Sequence, residues 1–121
     1  MGEIATSHRQ ITIYYSSKSQ RAKETIAYAE SEGIAVLTID ILKTPLTGTQ
    51  IIELAKRLDL HVSNLVNQES PAYQTKFSPH DLSDEDWVKM IRKNPEIMKQ
   101  PIVLHGDKTI LIESSTDINR I

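Results

Sequence analysis

At 121 residues, 39% of them hydrophobic and 25% charged, the chain has the length and composition of one soluble domain with a modest core. A net charge of −2 leaves no excess of Lys and Arg for a polyanion, which argues against direct nucleic-acid binding. There is no cysteine, so disulfides, thiol catalysis and cysteine metal sites are excluded; no apolar run approaches the roughly 20 residues of a membrane span.

Residues 1–9 show no periodicity and read as a loose lead-in to a single domain over 10–121. Gly2 with Thr6 formally fits a myristoylation pattern, for which a plain start is the simpler reading. The N-terminus lacks the apolar segment of a signal peptide, so the protein reads as cytoplasmic. Gln10–Tyr15 alternates and is rich in Ile, Thr and Tyr, which suits a strand. Ser16-Ser17-Lys18-Ser19 is a turn. Arg21–Glu32 reads as a helix with Ala22, Ile26 and Ala29 on one face and Gly33 as its stop. Ala35–Asp40 is a second strand, and Pro45-Leu46 a connector. Thr47 and Gln50 form a capping box for a helix striped with Ile51, Leu54, Ala55 and Leu58. Residues 61–81 are polar and broken by Pro71 and Pro79, with a short helix around Val62–Asn67. Ser83 and Asp86 cap another helix, on which Trp87, Met90 and Ile91 share a face. Asn94-Pro95 interrupts it, and Glu96–Lys99 adds at most one turn. Pro101 leads into Ile102–His105, and the Gly106-Asp107 turn returns the chain along Thr109–Ile112 as a hairpin. Ser114–Asn119 closes as a short helix.

A β-α-β crossover requires parallel strands, whereas the closing hairpin is antiparallel. The fold class is therefore α/β: a thioredoxin-like (glutaredoxin-like) mixed sheet with flanking helices and a helical insertion at about 47–99.

One block is more specific than the rest. Asn94-Pro95-Glu96-Ile97-Met98-Lys99-Gln100-Pro101-Ile102-Val103 resembles the Asn-Pro, apolar, basic, Arg-Pro-Ile-Val block of the arsenate reductase ArsC / Spx / YffB family. Leu42–Leu46 before the Thr47 cap is similar to that family's linker, and the resemblance extends over about residues 11–112. It implies a cis bond at Pro101. It also implies what is missing. Aligned on Tyr14 and on Gly33-Ile34, Ser19 stands where the family carries its nucleophilic Cys, Ser17 at the turn Pro, and Ala22 where Spx-type members have a second Cys. Asn67 in Leu65-Val66-Asn67 and Gln100 before Pro101 replace the two anion-binding arginines. Three losses together describe a retired reaction centre in a cysteine-less member.

The residue chemistry agrees. A serine hydroxyl is not ionised by a helix terminus and forms no mixed disulfide. Nucleophilic Ser needs a general base in reach, and His8 lies a strand length away, roughly 20 Å. Ser19 reads best as a helix cap. The other reading is a residual anion or peptide site, with free N–H groups at the helix start and Lys18 and Arg21 beside them. The four His at 8, 61, 80 and 105 show no metal-ligand spacing, and Asp81, Asp84, Glu85 and Asp86 suit a helix start. Trp87 reads as a core anchor.

The expected function is a non-catalytic, regulatory or protein-binding module without a cofactor. Its surface would be Ser17, Lys18, Ser19 and Arg21 with Asn67, Gln100 and Pro101, where an extended peptide could pair. The Spx resemblance implies a protein partner in transcription. An alternative is an arsenate reductase-like oxidoreductase or glutathione-binding transferase, with Ser19 steadying a glutathione thiolate. A homodimer through the hairpin edge is a third reading.

Overall fold

In the computed structural model, which describes residues 10–69, 71–76 and 82–120, the alternating run Ile11–Tyr15 forms β1, one of two central strands of a four-stranded sheet. The lead-in through residue 9, with Gly2 and His8, and the residues Pro79, His80 and Asp81 lie outside the described residues. Strands β2 (Val36–Asp40), β3 (Ile102–His105) and β4 (Lys108–Leu111) complete the sheet in the order β2-β1-β3-β4. β1 pairs with β2 in parallel, Ile13 opposite Thr38, and with β3 antiparallel, Ile13 opposite Val103. The crossover and hairpin geometries expected from the connections are both present.

Period-2 alternation sorts the strands' side chains onto two faces. Ile11, Ile13 and Val103 point to a smaller core closed by Ala29 of helix α1 (Gln20–Ser31) and by Ile118 of the terminal 3-10 turn Ser115–Arg120. Tyr14, Ile102 and Leu104 point the other way, into a larger core supplied by the insertion. The insertion consists of α2 (Gly48–Arg57), the 3-10 turn Val62–Leu65, α3 (Pro71–Lys76), α4 (Asp84–Lys93) and the 3-10 turn Pro95–Ile97. Ile51, Leu54, Leu65, Ile91 and Ile97 are fully buried there. Where α2 starts against α4, a Cβ on Gly48 would meet Val88 Cγ1 at 3.3 Å, so a residue without a side chain permits the close approach.

The caps explain the element boundaries. Thr47 and Gln50 form a reciprocal capping box, as do Ser83 and Asp86. α1 ends in a Schellman motif: Gly33 N–H donates to Glu30 O and Ile34 N–H to Ala29 O, with Gly33 at φ +74. α2 ends the same way, with Asp59 at φ 57 in the glycine position.

Several expectations are corrected. β1 begins at Ile11 rather than Gln10, and β2 at Val36 rather than Ala35. α1 spans Gln20–Ser31, because Ser19 caps it one residue earlier than the apolar stripe indicates. Its most buried face carries Thr25 in place of Ile26; the Thr25 hydroxyl donates to Arg21 O at 2.8 Å, which satisfies it inside the fold. The helix around 62–67 is a 3-10 turn ending at Leu65, since Val66 pairs with Met98 as a β-bridge. Helix α3, beginning at Pro71, was not expected; proline suits a first helical position. Val88 joins Trp87 and Ile91 in the core, leaving Met90 half-buried, and the hairpin's return strand is Lys108–Leu111. Trp87 is buried and stacks on Tyr73, ring centroids 6.3 Å apart.

Candidate functional site

The carboxyl end of β1 runs into α1 through Ser16–Ser19, and three separate parts of the chain meet at this junction. Ser19 is extended (φ −90, ψ 121) and its Oγ accepts the Ala22 N–H at 3.2 Å, so it caps α1. The end of β2 lies alongside: Asp40 Oδ1 accepts the Ser17 N–H at 3.3 Å and the Leu42 N–H at 3.0 Å. From the far end of the insertion, Gln100 Oε1 accepts the Ser16 N–H at 3.1 Å. The Gln100–Pro101 peptide is cis, and Pro101 O accepts the Ile112 N–H, which ties this loop to the residue that follows β4.

A second set of bonds brings Asn67 in. Lys99 N–H donates to Leu65 O at 2.6 Å and Asn67 N–H to Ile97 O at 2.8 Å, flanking the Val66–Met98 bridge. The middle of the insertion, just after its first 3-10 turn, is thereby joined to the insertion's end. Ser19, Arg21, Asn67 and Gln100 line one open groove of about 610 Å³. Lys99, Glu96 and Glu113 add charges of both signs to its rim, and Met98 and Leu111 add apolar surface. Four of the residues singled out in the sequence therefore share a groove although Ser19 and Gln100 stand 81 positions apart. Ser17, Lys18 and Pro101 do not line it: Ser17 turns its N–H toward Asp40, Lys18 is exposed, and Pro101 is buried.

Most donors of the turn itself already have acceptors within the chain, which narrows the expected anion site to the first N–H groups of α1. Ser16, Ser17, Lys18, Ser19 and Ala22 N–H groups all have acceptors within the chain. In the terminal turn, N–H donation from Ser114 and Glu113 holds the Asp117 carboxyl below the usual range, with smaller contributions from the Arg120 and Arg21 cations.

Asp40 escaped the sequence reading. Burial works against its charged form, but the Ser17 hydroxyl, the N–H groups of Leu42 and Ser17 and the Lys43 cation outweigh that and hold its carboxyl below the usual range. The signal available was its position, an acidic residue at the carboxyl end of a parallel strand, where α/β folds gather their sites. Tyr14, one strand position before the junction, has its phenol pushed up by burial and by Glu53, and is a neutral core hydroxyl. His61 caps a 3-10 turn and meets Asp84 at 2.9 Å, away from the groove. Among the described residues no three His, Asp or Glu side chains gather as a metal site.

The model of the ArsC family matches residues 14–121. Arsenate reductase from Haemophilus influenzae is 25% identical over 100 residues, covering 81% of this chain and 86% of that protein. Global transcriptional regulator Spx 2 of Lactococcus lactis is 25% identical over 95 residues, covering 78% of this chain and 72% of the regulator. In fold, the chain is similar to a putative arsenate reductase from Yersinia pestis, with TM-score 0.84 and 23% identity, over 93% of this chain and all (100%) of the other.

Proposed function

Because the chain belongs to the ArsC family and has no cysteine at any position, we propose that it is a non-catalytic member of that family, a regulatory module that holds a protein partner. The observation that carries this reading is the engagement of Ser19. The residue at the expected nucleophile position has its oxygen in a helix cap, and a hydroxyl there supplies neither a thiolate nor a mixed disulfide. The groove beside it, lined mostly by polar groups with Met98 and Leu111 among them and with charges of both signs at its rim, suits an extended peptide better than a small anion. A relative named as a global transcriptional regulator supports a regulatory role. The reading places the protein in the cytoplasm, without a cofactor; none of the described helices is long and apolar enough to cross a membrane.

The test is affinity purification from the native cell with wild type and an Arg21→Glu, Lys99→Glu double variant. A stoichiometric partner recovered with the wild type and lost with the variant is the expected outcome. A partner set unchanged by the variant, or none at all, ends the proposal.

A second reading, an arsenate reductase-like oxidoreductase or a glutathione-binding transferase, is favoured by the relatives named arsenate reductase and by Arg21 and Lys99 beside the Ser19 turn. It requires glutathione or arsenate to shift the amide resonances of Ser17–Ala22, which we expect to stay in place. Arsenate reduction should be undetectable for the wild type and for Ser19→Cys, since Asn67 and Gln100 remain. Activity recovered by Ser19→Cys alone would show that only the thiol had been lost.

A further inference from the structure

Backbone N–H groups at a strand-to-helix turn form a concavity that suits an anion. Here the strand side of that concavity is filled from within, by two long-range acceptors that come from opposite sides. Gln100 Oε1 arrives from the loop before Pro101 and takes the Ser16 N–H at 3.1 Å. Asp40 Oδ1 arrives from the end of β2 and takes the Ser17 N–H at 3.3 Å. The local donors are satisfied too, Lys18 N–H by Ser16 Oγ at 3.2 Å and Ser19 N–H by Ser16 O at 2.9 Å.

We propose that Gln100 and Asp40 are built-in acceptors that close this turn to free oxyanions and so decide which class of ligand the adjoining groove admits. Both side chains are tethered beside the donors, so an incoming sulfate, phosphate or arsenate competes with an intramolecular partner at high effective concentration. Asp40 adds a second barrier. It is buried next to the turn, and its carboxylate repels an anion approaching Ser17 across little water. What remains open to a ligand is the groove itself, whose rim carries Arg21 and Lys99 against Glu96 and Glu113. Such a rim fits a chain of mixed charge, with its own backbone and side chains, rather than a compact oxyanion. The inference concerns the same junction as the proposed function, but it requires no partner; its failure would leave the partner experiment untouched, and the reverse.

The test is a titration of 15N-labelled protein with inorganic sulfate at constant ionic strength, following the Ser16 and Ser17 amides. In the wild type these resonances should not move beyond the general salt effect. Gln100→Met removes the acceptor and keeps the length of the side chain; its Ser16 amide should shift saturably, with sulfate affinity at least about tenfold above any wild-type value. Gln100→Glu keeps an acceptor oxygen and should gain nothing. If Gln100→Met does not fold, Gln100→Ala serves in its place. A saturable wild-type shift at Ser16 or Ser17 equal in affinity to the variant's overturns the proposal, and so does a folded Gln100→Met or Gln100→Ala protein with no gain.

Discussion

The Ser19 hydroxyl accepts the first-turn N–H of Ala22 and caps α1. Ser19→Ala should therefore lower stability by about 1 kcal/mol, read as a fall in the urea midpoint. Ser19→Asp, which also caps, should recover most of it. Asp40 is the other residue with a measurable signature. Its folded-state pKa lies below the ordinary value, so the unfolded chain binds the proton first as pH falls. The stability it contributes is fully present above the ordinary carboxylate range and is lost as pH drops through the lowered folded value. Asp40→Asn should have a lower urea midpoint than wild type at neutral pH, and the two curves should converge in acid. Parallel curves at all pH values would show that the carboxylate charge contributes nothing.

At the scale of elements, two helices stop by the same device with different residues. Gly33 reaches φ +74 without strain, whereas Asp59 holds φ 57 at a cost that a side chain with a Cβ carries in the left-handed region. Gly33→Ala should destabilise by about 1 kcal/mol, and Asp59→Gly should stabilise by up to about 0.5–1 kcal/mol, less the greater entropy of an unfolded glycine. Thermal melts of the pair check the signs, which should be opposite. The caps also bear on legibility. Thr47–Gln50 and Ser83–Asp86 were readable because a capping box is a local pattern of two residues three apart. Helix α3 was missed because its stretch has few apolar residues to set a period, and Tyr73 is buried in the larger core, where it stacks on Trp87, a contact across the fold.

For the whole molecule, one sheet serves two cores, so neither face can lose its packing while the other keeps its floor. Unfolding should be a single transition. The sole tryptophan, Trp87, reports the larger core, and far-ultraviolet circular dichroism reports the whole backbone. Their denaturant curves should coincide. An earlier fluorescence transition would mean that the insertion melts as a separate unit. Ile13→Ala, at a fully buried position under α1, should cost about 2–5 kcal/mol and shift both curves together.

The sequence by itself determined the order of elements apart from α3, the parallel crossover and the antiparallel hairpin, the two capping boxes and the loss of thiol chemistry, because each depends on residues close in the chain or on simple absence. The family block around Asn94–Val103 placed Gln100 and Pro101 at one loop by resemblance. Only the tertiary structure decided that the turn's donors are taken. The Ser16 N–H meets its acceptor 84 residues away and the Ser17 N–H meets one 23 residues away, contacts with no local pattern to betray them. Asp40 and Gln100 converge there because β2 and β3 flank β1 in the sheet, and pairing across strands is a property of the folded chain.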